Sequence, residues 1–403
     1  MRQLIFTSEP GRTGPIPHSA ASPSNGSKLF RKPVGNLPSS ALIFVAGAIA
    51  LGAQAPAKWG LGDFVRPGDV NPVIMPRADS VFFCPMRKAP IHWEALHTFN
   101  PAAVVRNGKV YVLYRAEDDS GEMQIGMHTS RLGLAESDDG LHFTRGPSPV
   151  LYPADDGQKE REWEGGCEDP RVVESPDGTY VLTYTQWNRK ITDAAIATSK
   201  DLVAWTKHGP AFAHASGGKY LRVFHKSAGI VSRVSGGRLI AAKINGKYWM
   251  YWGEGEIHLA TSSDLIDWRP LEDAKGDPIA VLGKRAGHFD SSFPEVGPPP
   301  VLTRDGIVVL YNGKNAAEAG DPNLPAGTYA AGEALFAANH PAKLISRTEG
   351  PVFKPELPFE RSGQYAAGTT FTEGLVLFKG KYFLYYGCAD SLVGAAVSTA
   401  RRR

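Results

Sequence analysis

The sequence predicts an all-β fold, a five-bladed β-propeller, and two repeats carry that expectation. The first is a turn dipeptide followed by a strand with one aromatic signature: NGKVYVLYRAE from Asn107, DGTYVLTYTQW from Asp177, NGKYWMYWGEG from Asn245, DGIVVLYNGKN from Asp305 and KGKYFLYYGCA from Lys379. Asn-Gly and Asp-Gly between alternating apolar runs are the strongest short-range hairpin signal, because both central residues of a type I′ turn take positive φ. Successive copies begin 70, 68, 60 and 74 residues apart. That is too long for a solenoid rung and long enough for a four-stranded sheet with generous loops, so five copies make five blades. The second repeat is SDDGLHFTR at Ser137, TSKDLVAWTK at Thr198 and TSSDLIDWRP at Thr261, each 16 to 30 residues after a hairpin turn. A Ser/Asp turn leading to an aromatic residue at that distance is where the outer strands of a blade belong.

A chain of 403 residues has room for two or three domains, but one propeller uses most of it. The expected organisation is an N-terminal extension over residues 1–57 and a propeller over residues 58–403. The extension is rich in Ser, Pro, Gly and Ala and carries the apolar run ALIFVAGAIAL at residues 41–51, after Lys28, Arg31 and Lys32 and before Ala53, Ala55 and Ala57. Such a run is too short for a hydrocarbon layer of ~30 Å and matches the apolar region of an export signal. The expectation is a periplasmic or secreted protein without stable membrane insertion; the alternative is a short buried segment of a cytoplasmic one. Formal net charge is +3, and no basic run stands out beyond Arg401, Arg402 and Arg403, so no nucleic-acid partner is expected. Cys84, Cys167 and Cys388 are odd in number and match no zinc-ribbon spacing, which suits buried small hydrophobes. No metal ligand or cofactor is predicted, and His225, His258 and His288 fit hydrogen-bonding or core roles.

In an antiparallel hairpin the turn lies at one end and the open ends meet at the other. Residues at similar distances before and after the five turns therefore share one rim: Asn100, Asp169, Glu295 and Glu373 before, and Arg115, Glu117, Asp118, Gln186, Trp187, Glu254, Lys314 and Asp390 after. Three carboxylates stand out. Asp169 lies in GGCEDPRVV, where Gly165 and Gly166 permit irregular backbone and Pro170 confines its predecessor. Glu254 lies between glycines in YWGEGEIH, and Glu295 follows Pro294 in SSFPEVGPPP, where proline forbids a normal ladder. Carboxylates facing each other across a polar cleft suggest glycoside chemistry, in which one carboxyl protonates the leaving oxygen and another activates water or attacks the sugar. Placement on different blades favours the wider, inverting arrangement. Trp187, Trp249 and Trp252 are candidate surfaces for stacking on sugar faces.

With these motifs assembled, the chain resembles glycoside hydrolase family 130, whose members include β-mannoside phosphorylases and β-1,2-mannosidases. The resemblance runs from about Asn71 to about Ser398 and rests on FNPAAVVRNGKVYVLYRAED, TSRLGLAESDDGLHF, GGCEDPRVVE, KSAGIV, SSFPEVGPPPVL and YYGCADSLVGAA. It implies Asp169 as proton donor, directly or through a sugar hydroxyl. It also implies substrate-binding roles for Asn100, Arg115, Glu117, Arg131, Arg171, Lys226 and Asp390. Where the phosphorylases typically carry a His-Arg-Pro phrase, this chain has Tyr251-Trp252-Gly253-Glu254. An anion there repels phosphate, and Glu254 with Glu295 matches the glutamate pair of the hydrolytic branch. The expected activity is an inverting exo-β-mannosidase acting on β-1,2-linked mannosides, with a β-mannoside oligosaccharide as its partner. Lys226 keeps phosphorolysis as the alternative, and a non-catalytic sugar-binding propeller is the third reading.

Overall fold

A computed structural model describes residues 58–119 and 123–399. The export signal expected in residues 1–57 lies outside the described residues. The fold is almost entirely β. Its helical pieces, among the described residues, are the one-turn helix Lys159–Glu162 and two 3₁₀ segments, Ala215–Arg222 and Pro358–Glu360. The strands form five consecutive antiparallel meanders. The first runs through His97–Arg106, Lys109–Glu117, Ser130–Ser137 and Thr144–Arg145. The second runs through Gly166–Glu174, Tyr180–Trp187, Thr192–Ser199 and Thr206–Pro210. The third uses Ala228–Ile230, Lys247–Trp252, Ile257–Ser262 and Arg269–Pro270, and the fourth Phe293–Val296, Ile307–Lys314, Tyr329–Ala337 and His340–Arg347. The fifth contributes Thr370–Phe378, Lys381–Cys388 and Leu392–Thr399. The outer edge of its last strand is taken by the N-terminal side of the domain, through antiparallel bridges Val65 to Val397 and Ile74 to Val393.

Each hydrophobic core is shared by two meanders. Val112 and Tyr114 pack with Val376 and Phe383 of the fifth meander, whereas Leu113, on the other face of the same strand, packs with Val172 and Leu182 of the second. This period of two is what a strand sandwiched between neighbouring sheets requires. Further cores join the second to the third, the third to the fourth and the fourth to the fifth. The repeated tyrosine belongs to these cores. Tyr114, Tyr184, Tyr251, Tyr311 and Tyr385 are all buried, and each hydroxyl donates to an acceptor: Glu94, Glu162, the Pro341 carbonyl, Asp290 and the Gly140 carbonyl. A buried Tyr needs such a partner, so the aromatic signature records packing.

The second repeat is one turn built three times. Ser137, Ser199 and Ser262 each accept, through Oγ, the backbone N–H groups two and three residues on, and Asp139, Asp201 and Asp264 do the same through Oδ1. These bonds satisfy the chain as it crosses from third to fourth strand. The hairpin turns are less uniform than the sequence suggests. Asn107-Gly108, Asn245-Gly246 and Lys379-Gly380 have positive φ at both residues, but at Asp177-Gly178 and Asp305-Gly306 only the glycine does. In the third meander the strand before Asn245 is only Lys243–Ile244; near the site Lys247–Trp252 pairs instead with Ala228–Ile230, across an inserted hairpin of Ser232–Ser235 and Arg238–Ala241.

Candidate active site

The site lies where the inner strands lose their register. The ladders slip between Phe99 and Pro101, between Glu168 and Arg171, and between Thr372 and Gly374, so Asn100, Asp169 and Glu373 fall in equivalent bulges. Asn100 and Asp169 take φ of 43° and 46°. A non-glycine residue there costs on the order of 1–3 kcal/mol and persists only where its surroundings enforce it. Pro101 and Pro170 follow, with no N–H to leave unpaired. At Asn100 and Asp169 the bulge turns the side chain out of the ladder and into a cavity of about 180 Å³.

One wall of that cavity is organised by Arg115. Its guanidinium donates to Asp169 Oδ1 at 3.0 Å, Glu117 Oε1 at 2.7 Å, Glu168 Oε1 at 2.9 Å and Ser130 Oγ at 2.9 Å, and it lies 4.6 Å from the Phe99 ring centre. Asn100 Nδ2 donates to the same Asp169 Oδ1 at 2.9 Å. Burial alone would raise the Asp169 carboxyl, but Arg115, then Lys226 and Arg171, hold it down at about 2. Glu168 goes the other way, pushed up to about 7 by burial against the opposing pull of Arg115. Asp390 is likewise raised to about 7 by burial, and Gln364 Nε2 donates to its backbone carbonyl at 2.7 Å.

The facing wall carries the two glutamates. Glu254 and Glu295 sit opposite each other in an antiparallel bridge, fixed by Gly255 N–H donating to the Pro294 carbonyl at 3.2 Å and Val296 N–H to the Gly253 carbonyl at 3.3 Å. Gly253 has φ of 121°, and a Cβ there would meet the Glu256 carbonyl at 2.3 Å, so only glycine lets the chain turn before Glu254. Lys226 Nζ stands 3.4 Å from Glu254 and 3.5 Å from Glu295. Ser227 donates to Glu295 through Oγ. Burial pushes Glu295 up to about 7, although Lys226 pulls it down. Burial opposes the charge on Lys226 too, but Glu254 and Glu295 raise it well above its ordinary value.

Of the residues expected from the sequence, Asn100, Arg115, Glu117, Asp169, Lys226, Glu254, Glu295 and Asp390 line this one cavity. Two do not. Arg131 is buried away from it, its guanidinium 2.6 Å from Asp118, so its charge is spent inside the fold. Arg171 is also buried; it donates to the carbonyls of Val296, Gly297 and Asp169 and lies 2.8 Å from Glu373, which makes it a strut beneath the site. The tryptophan expectation is corrected as well. Trp252 and Trp249 pack into cores, and Trp187 covers Gly165 while donating to the Gly126 carbonyl at 2.9 Å. The aromatic lining is Phe99, Tyr329, Tyr365 and Phe371. Sequence reasoning also missed Glu168, whose signal is its place beside Asp169 in the bulge. His225 is a core histidine that accepts the Ala194 N–H at 2.9 Å through Nδ1, and the three cysteines are buried and unpaired with one another. A group able to hold a metal does exist, His97 with Glu117 and His128, drawn from separate elements and so lacking any spacing motif.

The model of glycoside hydrolase family 130, described as β-1,4-mannooligosaccharide phosphorylase, matches residues 83–402. A 1,2-β-oligomannan phosphorylase of Thermoanaerobacter sp. (strain X514) is 31% identical over 81% of this chain and 94% of its own. A solved glycosyl hydrolase from Bacteroides ovatus is similar at a TM-score of 0.85 and 52% identity, covering 86% of this chain and 96% of that one. Another solved structure, at a TM-score of 0.85 and 51% identity, covers 86% of this chain and 97% of its own. It is described in terms of a family of mannoside phosphorylases that contains glycoside hydrolases targeting β-1,2 mannosidic linkages in Candida mannan.

Proposed function

Because the chain belongs to glycoside hydrolase family 130, we propose that it is a five-bladed propeller enzyme that hydrolyses β-1,2-linked mannosides from one end, with inversion. The observation that carries the choice of water is the Glu254–Glu295 wall. Two carboxylates share a single ammonium there, so the position facing Asp169 is poor in positive charge. A phosphate dianion brought into it would meet like charge in a desolvated cleft. Glu295, raised into the neutral range, suits a base that takes a proton from water. The confined cavity suits one terminal sugar, the linkage oxygen lying towards Asp169. Asp169 delivers the leaving-group proton, directly or through a sugar hydroxyl. Glu168 and Asp390, raised to about 7, are neighbours of Asp169 that hold protons near neutral pH.

Phosphorolysis is the second reading. It is favoured by the Thermoanaerobacter relative, which is a phosphorylase, and by Lys226, a cation available to an incoming phosphate. Product analysis on β-1,2-mannobiose with and without millimolar phosphate decides between them. Mannose alone in both supports hydrolysis; mannose 1-phosphate that appears with phosphate replaces it with phosphorolysis.

A further inference from the structure

Behind Arg115, three buried polar atoms lack a hydrogen-bond partner among the described residues: Nδ1 of His97, Nδ1 of His128 and Oε2 of Glu117. One ligand atom from each of these residues lies within 4.8 Å of the other two. A single buried, unpaired polar group costs about 1–3 kcal/mol, so three on residues this close together call for a common partner. Glu117 is oriented for it. Its Oε1 accepts from Arg115 at 2.7 Å and from Ser130 Oγ at 3.0 Å, which fixes the carboxylate plane and leaves Oε2 for the histidines. Hydrogen bonds of this kind are how outer residues orient a carboxylate ligand. The His97 and His128 rings meet at 65° with centres 5.7 Å apart, an edge contact. Glu117 and His128 are buried and His97 is half-buried, giving a route in.

We propose that His97, Glu117 and His128 form a binding site for one divalent transition-metal ion, zinc foremost. Two imidazoles and one carboxylate are a donor set of three-ligand zinc sites, whereas magnesium and calcium take oxygen shells. With bonds of about 2.0–2.2 Å the three ligand atoms close in on the ion when it binds. The nearest cation, Arg115, is already paired with Glu168 and Asp169, and Arg131 with Asp118, so neither repels the ion without compensation. The ligands come from the start of His97–Arg106, the end of Lys109–Glu117 and residue 128, just beyond Ile125 and Gly126 of the cavity wall. The ion therefore pins that wall to the first meander and, through Glu117, steadies Arg115 beneath Asp169. It is a positioning site, not a reacting centre.

The test is the metal content of the full chain, purified without chelator or added metal, followed by cobalt and zinc titration of the chelator-stripped protein. The expected result is one zinc ion per chain, visible d–d absorption saturating at one equivalent of Co²⁺, and a rise in Tm with Zn²⁺. His97→Gln and His128→Gln abolish all three. No stoichiometric metal together with a featureless cobalt titration of the wild type overturns the proposal and leaves a bridging water as the partner. Equal responses in wild type and variants overturn it as well. Should a variant fail to fold, the wild-type cobalt spectrum decides alone.

Discussion

Asp169 and Glu295 are both buried in the same cavity, and they differ because their cations differ. Arg115 and Asn100 both bond Asp169 and keep it ionised, whereas Lys226 at 3.5 Å, the charge of Arg171 and a serine hydroxyl offset the burial of Glu295 only in part. If Glu254 and Glu295 handle water, changing either to Gln lowers hydrolysis by roughly 10² to 10⁴, the usual range for general acid–base groups, with little change in substrate affinity. Asp169→Asn cripples the enzyme on mannobiose but partly spares an aryl mannoside whose leaving group needs no proton. Near-normal turnover in both glutamine variants would falsify the water assignment. The pH profile gives a second handle. Glu295 must be ionised to act as base, so kcat/KM rises with pH through about 7. Lys226→Met removes the charge that lowers Glu295, so this limb moves to higher pH; a limb that stays in place belongs to another group. Stability runs the opposite way. Glu168, Glu295 and Asp390 have folded values raised to about 7, so their contribution is complete below the ordinary carboxylate range and lost as pH climbs through 7. Asp169, depressed to about 2, acts only below that window. Tm is therefore lower at pH 8 than at pH 5, and Glu168→Gln narrows the difference; an unchanged gap in that variant removes Glu168 from the account.

At the scale of the element, the bulges decide what the strands present. Asn-Gly and Asp-Gly marked the hairpins because turn chemistry is local, and the three Ser/Asp turns were legible for the same reason. A bulge depends on how two strands pair, so nothing local announced that Glu168 and Asp169, consecutive in one strand, would both reach the cavity. The detour through Ser232–Ser235 and Arg238–Ala241 was hidden likewise, since its pairing partners lie in other meanders. The tryptophans misled because burial between sheets and exposure at a rim use the same residue types. One glycine tests the bulge directly. A Cβ on Gly387 would lie 2.1 Å from Asn100 Oδ1 and 3.1 Å from its backbone nitrogen. Gly387→Ala must therefore push Asn100 off Asp169 Oδ1. Overpacking of this kind costs about 1–3 kcal/mol, and the loss in kcat/KM should exceed that of Asn100→Ala in an otherwise folded protein. Wild-type kinetics in Gly387→Ala would mean the Asn100–Asp169 bond contributes nothing to catalysis.

Over the whole molecule, the five cores form a cycle in which each joins two consecutive meanders and one joins the fifth to the first. Asn100 and Asp390 enter the same cavity from the first and fifth meanders, so the site is complete only if that last core is intact. The fifth meander supplies three strands of its own, and the segment at residues 65–74 finishes it. Val65 and Ile74 bridge to Val397 and Val393, and the Asn71 side chain both accepts the Ala395 N–H at 2.8 Å and donates to its carbonyl at 2.9 Å. Arg66 adds a 2.6 Å contact to the buried Glu360, beneath Tyr386. These bonds tie the beginning of the domain to its end, and without them the last strand has a bare edge and the core loses Ile74. We propose that the residues before 58 are an export segment, as their sequence suggests. Two truncations separate these roles. A chain beginning at Lys58 should keep the Tm and kcat/KM of the full chain. A chain beginning at Phe82, which lacks only the closing segment and the residues around it, should lose cooperative unfolding or drop sharply in Tm, with activity falling in parallel because Asn100 and Asp390 are no longer held together. Equal stability of the two truncated chains would show that the fifth meander holds its place without the segment, so that the core it shares with the first would suffice to keep Asn100 beside Asp390.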